Sequence, residues 1–387
     1  MLAALQLALD KRLADGLLRQ RRLLDSPQAE HIVTNDQSYL SFCSNDYLGL
    51  ANRPELISAM QQAAGESGVG SGASNLITGH HRYHDDLERQ LAAFVERPAA
   101  LLFSTGYMAN IGVLGALVGR GDAIFADKLN HACLNDGGYY SLASFHRFAH
   151  NDVQALEALL KTSTAKHKLI AVDAVFSMDG DIAPLAEYLQ LCERYDAYLY
   201  VDDAHGFGVL GEHGQGTLHH LGLRSPRIIM MATLGKAAGV AGAFVAAESV
   251  VINYLIQTAK SYVYSTPAPP ALSATLSASL KLIAQGDALR SHLYGLIAYF
   301  KAHLACQKWR LMPSDTSVQP LLVGSNQAAL ALSAYLQAAG ILVPAIRPPT
   351  VPAGTARLRI SISAAHSLED IQKLLQAIHQ AESELPS

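Results

Sequence analysis

The chain has 387 residues, half of them hydrophobic and 16% charged, with a formal net charge of -4. That composition buries a large core and excludes a disordered chain, and the length alone suggests two or three domains. So mild an acidity gives no electrostatic footing for nucleic acid or an anionic membrane surface.

At the N-terminus Leu2, Leu5, Leu9, Leu13 and Leu17 recur every three or four residues, which predicts one apolar face of an amphipathic helix. Asp10, Lys11 and Arg12 interrupt the run, so it reads as neither a signal peptide nor a membrane span, and a cytoplasmic protein is expected. Cys43, Cys133, Cys192 and Cys306 lie far apart without a C-x-x-C pair. That pattern argues against a zinc ribbon or a disulfide framework and fits free thiols in a reducing compartment.

QSYLSFCSNDYLGL (37–50) predicts a short strand and a turn, GESGVGSGAS (65–74) a flexible glycine loop, and HDDLERQLAAFVE (84–96) a helix. Strands follow at 99–103, 123–127, 168–176, 197–203, 227–234 and 241–247, most of them separated by helical or loop segments. Several are continuous apolar runs, as expected of strands covered on both faces in an open, mainly parallel α/β sheet. The last two are too close for a helical crossover, so one edge is expected to be antiparallel. After YSTPAPP (264–270) come a long helix from about Ala271 to Gln285, short strands at 318–323, 341–346 and 356–363, and a closing helix at 367–383. The division implied is an N-terminal segment 1–45, a large α/β domain 46–270 and a small α+β domain 271–387.

VDDAHGFGVLG (201–211) matches G-x-G-x-x-G through Gly206, Gly208 and Gly211. A dinucleotide-binding turn also needs a helix directly after the glycines and an acidic residue about 20 positions on. Here EHGQGTLHHLG follows, with no clean helix start, so a nicotinamide-dependent oxidoreductase is a remote alternative. Asp202 and Asp203 sit at a strand end with side chains on opposite faces, and His205 follows. Taken alone, these residues suit a ligand site or a structural Asp–His pair equally well.

Lys236, in MATLGKAAGVAG (231–242), has no charged neighbour in sequence from Arg227 to Glu248. Most lysines are solvated, and one in so apolar a setting is a candidate amine nucleophile or Schiff-base former. Ser104, Thr105 and Gly106 lie between a strand and a helical stretch, either as an ordinary helix start or as an anion cradle. A lysine, an acidic partner for a ring nitrogen and a phosphate cradle together point to pyridoxal phosphate.

NDYLGL (45–50), STGYMAN (104–110), DKLNHAC (127–133), VFSMDGD (175–181), VDDAHGFGVLG, TLGKAAG, YSTPAPP and RPPTVPAGTARLR (347–359) occur in that order. Together they resemble the pyridoxal-phosphate-dependent α-oxoamine synthases, over nearly the whole chain. The resemblance implies the aspartate-aminotransferase fold (fold type I), with a mainly parallel seven-stranded sheet in the large domain, and a homodimer with a shared active site. DAHG and the RPPTVPAGTARLR string are most similar to the branch that begins biotin ring assembly. That implies L-alanine and a pimeloyl thioester of coenzyme A or acyl carrier protein as substrates. Another α-oxoamine synthase, such as a glycine C-acetyltransferase, is the near alternative.

Carried over position by position, the resemblance makes Lys236 the cofactor-linking and proton-moving residue and His131 a ring-stacking catalytic and substrate-binding residue. Asp202 would pair with the pyridinium nitrogen, and His205 and Ser177 with the ring oxygen. Gly106, Tyr107 and Thr233 would hold the phosphate and neighbouring atoms. Ser265 and Thr266 would reach the other subunit's phosphate. Arg359, assisted by Asn45, would clamp the amino-acid carboxylate, and Arg19 and Thr350 would contact the acyl substrate. Arg357 shares a strand face with Arg359, and by alternation alone either could be merely solvated. No metal is implied.

Overall fold

The computed structural model describes residues 1–385. The chain divides into two compact units: a large one of Leu50–Ser177 and Ile182–Arg290, and a small one of Met1–Gly49, Met178–Asp181 and Ser291 onward. The small unit opens with helix α1 (Leu2–Ala14), none of whose residues is buried. The expected helix is present, but its leucines pack on nothing within the chain's core. The hairpin β1 (His31–Thr34) and β2 (Gln37–Ser41) follows. Its two-residue loop, Asn35 and Asp36, has φ of 51° and 58°, the left-handed pair that suits a tight hairpin and that Asn and Asp tolerate.

The large unit is built on seven strands: β3 (Ala99–Phe103), β4 (Ala123–Asp127), β5 (Ser144–Phe148), β6 (Lys168–Asp173), β7 (Tyr198–Asp202), β8 (Ile228–Thr233) and β9 (Ala243–Ala247). Their order is β3-β9-β8-β7-β6-β4-β5. From β8 to β5 every pairing is parallel, while β9 runs antiparallel to both β8 and β3. The antiparallel strand therefore lies one place in from the edge rather than at it. The short loop Leu234–Gly242 forces β9 back beside β8, and β3 covers its far side. Strand β5, SFHRF, was not expected from sequence. Ser144, His146 and Arg147 are exposed, so it lacks an apolar run, and such a polar edge resists pairing with another chain.

Helices α2 (Pro54–Ser67), α3 (Arg82–Phe94), α4 (Gly106–Leu117) and α5 (Ala132–Tyr140) also belong to this unit. Helix α2 occupies the first residues of the expected glycine loop. Helix α3 begins ahead of the apolar periodicity because His81 caps it. The His81 side chain accepts from Tyr83 N, and His84 Nδ1 accepts from His81 N. The helix Pro270–Ala284 packs on α2 and α3, which places it in the large unit. One face of the sheet is sealed by Leu101, Val113, Leu114, Ile124, Tyr200 and Val245, all essentially inaccessible to water.

In the small unit, β10 (Arg310–Leu311), β11 (Val318–Gly324), β13 (Ala345–Ile346) and β14 (Ala356–Ser361) form an antiparallel sheet of order β10-β11-β14-β13, and β12 (Ile341–Leu342) joins β2 in parallel. Residues Met178–Asp181 belong here because Gly180 O accepts from Ser314 and Thr316 hydroxyls. A Cβ on Gly180 would lie 2.4 Å from Val318 O, and its φ is +73°, so this turn requires glycine.

Glu88 of α3 is mostly buried, its side chain 14% exposed, and its Oε1 accepts from Leu102 N at 2.8 Å, tying the helix to β3. Burial pushes its carboxyl from the ordinary 4.5 up to about 7. The native chain therefore holds this proton to higher pH than the unfolded chain, and stability falls as pH rises between those two values. Glu88→Gln keeps an acceptor for Leu102 without the buried charge. Its melting temperature should exceed that of the wild type at pH 8.5, by an effect on the order of 3 kcal/mol at most, with the gap closing by pH 5. An equal gap at both pH values would show that Glu88 is not buried as a charge.

Candidate active site

Strands β4, β6, β7 and β8 are parallel, so their carboxyl ends open on one edge of the sheet, where open α/β sheets bind ligands. Strand β3 is reversed twice through β9 and points the same way. Each end delivers chemistry a few residues on: Gly106 and Tyr107 after β3, His131 after β4, Ser177 after β6, Asp202 and His205 at the end of β7, and Thr233 and Lys236 at the end of β8. These residues line one cavity of about 190 Å³, together with Asn110, Cys133 and Asp173.

Within it, Lys236 Nζ lies 2.7 Å from His205 Nε2. Asp202 is buried; its Oδ2 accepts from Asn110 Nδ2 at 2.7 Å and its Oδ1 from Ala204 N at 3.1 Å. Asp173, its neighbour across the parallel pair, accepts from His131 N at 2.7 Å. Burial, and then the Asp202 charge, push Asp173 well above the carboxylate range. Burial holds His131 below the ordinary imidazole value, against the pull of the Asp202 charge. Thr233 Oγ1 donates to Gly242 O at 3.0 Å, which closes the loop carrying Lys236. At the mouth of α4, Thr105 accepts from Met108 N at 3.1 Å, and the Tyr107 hydroxyl binds Asp136.

This donor set fits pyridoxal phosphate. Among the lining residues Lys236 carries the one amine, suited to the aldehyde carbon. Asp127, Asp173, Asp202 and Asp203 crowd buried carboxyls onto adjacent strand ends. A protonated ring nitrogen beside Asp202 would offset that repulsion. Gly106 and Tyr107, at the N-terminus of α4, offer backbone N–H groups where a phosphate can sit.

Asp203, by contrast, is structural. It accepts from Thr217 N at 2.7 Å and Thr217 Oγ1 at 2.5 Å, and burial pushes it up to about 7 against those bonds. A Cβ on Gly206 would meet the same two side chains at 2.1 and 2.2 Å. The glycine-rich stretch leads only to a single helical turn, Thr217–His220, so the helix of a dinucleotide-binding turn is not built.

The other expected residues lie outside this cavity. Ser265 and Thr266 line a smaller one, of about 30 Å³, with Ser104, His84 and Glu88. Arg19, Asn45, Thr350 and Arg359 belong to the small unit. There Arg19 donates to Thr350 Oγ1 at 3.0 Å, and both line a cavity of about 180 Å³ with Arg347. Arg357 donates to Asp179 at 2.5 Å, so its charge already has a carboxylate. Arg359 donates to the hydroxyls of Ser361 at 2.8 Å and Tyr47 at 3.3 Å, and Tyr47 donates to Asn45 Oδ1 at 3.2 Å. Asn110, Cys133 and Asp173 were missed as cavity residues. Asn110 lies one turn after Gly106 on the same helix face, which is a signal in the sequence.

The family model for aminotransferase class I and II matches residues 37–378. The chain belongs to that family. Among class I and II aminotransferase relatives, it is 56% identical over 382 residues to an 8-amino-7-oxononanoate synthase of Methylobacillus flagellatus, covering 99% of this chain and 96% of that protein. A serine palmitoyltransferase variant from S. paucimobilis, solved with a bound PLP–myriocin aldimine, superposes with a TM-score of 0.92 at 28% identity, over 98% of this chain and 96% of that one. An 8-amino-7-oxononanoate synthase from Francisella tularensis superposes with a TM-score of 0.77 at 29% identity, over 88% and 97%. The expectation of an aminotransferase-type large domain with a mainly parallel seven-stranded sheet, and of a separate smaller domain, is borne out. No helix among the described residues is long and apolar enough to cross a membrane.

Proposed function

We propose that this chain is a pyridoxal-phosphate-dependent acyltransferase that condenses L-alanine with a pimeloyl thioester, forming 8-amino-7-oxononanoate, CO2 and the free thiol, in biotin biosynthesis. The observation that carries the reading is the convergence of Lys236, Asp202 and His205 in one cavity of a chain whose relatives at 50–56% identity are 8-amino-7-oxononanoate synthases. Bound pyridoxal phosphate supplies an electron sink that lets the alanine Cα lose its proton.

The chain's own residues do the rest. Lys236 would hold the cofactor at its aldehyde carbon and, with alanine bound, would move the proton at Cα. Asp202 would keep a proton on the ring nitrogen, and His205 and Ser177 would bind the ring oxygen. Gly106, Tyr107 and Thr233 bind the phosphate end, with Ser265 and Thr266 of the second copy in a homodimer. His131 would cover the ring face and donate to the thioester carbonyl as the new carbon–carbon bond forms and the thiol departs. Arg359 clamps the alanine carboxylate with a planar fork until it leaves as CO2, and Asn45 orients it through Tyr47. Arg19 and Thr350 contact the acyl substrate.

Purified chain loaded with pyridoxal phosphate is given L-alanine or glycine, each with pimeloyl-CoA, pimeloyl-acyl carrier protein or acetyl-CoA. We expect L-alanine with a pimeloyl donor to yield 8-amino-7-oxononanoate by mass spectrometry, and the two pimeloyl donors to differ in rate. Turnover confined to glycine and acetyl-CoA would replace this reading with a glycine C-acetyltransferase.

A further inference from the structure

Two side chains in the Lys236 cavity have no role in the reaction above, yet they connect two that do. Asn110 is fully buried on α4, and Cys133 is buried at the start of α5. The Asn110 amide can stand only one way round. Its Nδ2 faces the Asp202 carboxylate at 2.7 Å, and Tyr200 Oη donates to its Oδ1 at 2.7 Å. Turning the amide over would set its oxygen against the carboxylate. The second Nδ2 hydrogen points to Cys133 Sγ at 2.9 Å.

Because Sγ already accepts from Asn110, the thiol hydrogen is directed elsewhere. His131 Nδ1 lies 2.7 Å from Sγ. The same Nδ1 accepts from Cys133 N at 3.3 Å, since His131 caps α5. Two donors converge on one ring nitrogen, and a nitrogen that accepts carries no proton.

We propose that Asn110 and Cys133 form a hydrogen-bond bridge from Asp202 to His131, and that this bridge holds His131 as the neutral tautomer with its proton on Nε2. Cys133 is then a positioning residue: it leaves Nε2–H as the donor that His131 presents to the cavity. Burial and the Asp202 charge push the Cys133 thiol up to about 12, so it stays a thiol and keeps the hydrogen it donates. The charged groups acting on His131 are Asp202, Lys236 and Asp136, and its backbone N–H binds Asp173. The tautomer follows from the chain's own groups. Only its use, donation to a thioester carbonyl, rests on the proposed reaction.

The test is nitrogen-15 NMR of histidine-labelled full-length protein, free of substrate. The chain has 16 histidines, and the His131 signals are those lost in His131→Gln. Wild type is expected to show His131 with Nδ1 unprotonated and Nε2 protonated at neutral pH. Cys133→Ala removes the thiol donor and leaves only the longer backbone N–H bond to Nδ1, so the Nδ1-protonated tautomer gains population and the titration midpoint of His131 rises by about one pH unit, the equivalent of one hydrogen bond. Cys133→Ser restores a donor in the same place and returns both readouts toward wild type, a rescue that packing alone does not predict. A wild-type proton on Nδ1 overturns the proposal, as does an alanine variant whose His131 titrates and tautomerises like wild type. Should Cys133→Ala not fold, the wild-type tautomer and the serine variant decide. Because no turnover is measured, failure here leaves the proposed reaction standing, and absence of turnover leaves the tautomer standing.

Discussion

Lys236→Ala is expected to lose turnover by at least ~10³-fold, toward the upper range of what one positioned acid–base group supplies, and also the visible absorption of the lysine-linked cofactor. No other residue lining the cavity carries an amine, so nothing beside His205 can take over either the carbon-linking or the proton-moving task. Lys236→Arg is the sharper control. It keeps a positive charge among the crowded carboxyls, but a guanidinium does not deprotonate and cannot attack a carbonyl carbon. Both variants should therefore be inactive, while the arginine variant retains more of the wild-type stability. Rates and spectra are read on protein loaded with pyridoxal phosphate. A Lys236→Ala protein that turns over within tenfold of wild type would refute the assignment of the cofactor to this cavity.

The second large effect is at Asp202. Asp202→Asn preserves volume and leaves an oxygen for the Asn110 amide, but removes the charge proposed to face the ring nitrogen. Breaking a buried charge pair costs roughly 3–5 kcal/mol, so pyridoxal phosphate should bind roughly 10²–10⁴-fold more weakly, with turnover falling as well. A second consequence follows at Asp173. Its pKa is raised first by burial and then by the Asp202 charge. Neutralising Asp202 removes the second cause only, so Asp173 should ionise at lower pH than in wild type while staying above the ordinary range. Equilibrium dialysis of the cofactor, and a pH titration of its bound absorption, measure the two effects. Unchanged affinity would mean that Asp202 serves the Asn110–Tyr200 network rather than a cofactor.

Much of the candidate site was legible because its signals are local. Lys236 stood out by its isolation from other charges, and Asp202 by its place at the end of an apolar strand. Gly206 is needed not for a phosphate but for room beside Asp203 and Thr217, a contact between positions far apart in the chain. Arg357 and Arg359 were equivalent by alternation. Asp179, drawn into the small unit through Gly180, separates them by pairing with Arg357. Strand β5 was illegible because an edge strand with exposed Ser144, His146 and Arg147 carries no apolar pattern to read.

By itself, the sequence determined the alternation of strands and helices, the polar strand ends and the lysine among them, since apolar periodicity and charge isolation are properties of neighbouring residues. Tertiary structure alone decided that β9 lies inside the sheet, that five strand ends open on one cavity, and that the helix Pro270–Ala284 packs with the large unit. It also decided that Asn110 and Cys133 join Asp202 to His131. Strand pairing and side-chain hydrogen bonds join residues tens to hundreds of positions apart, and no local pattern records which partner each will find.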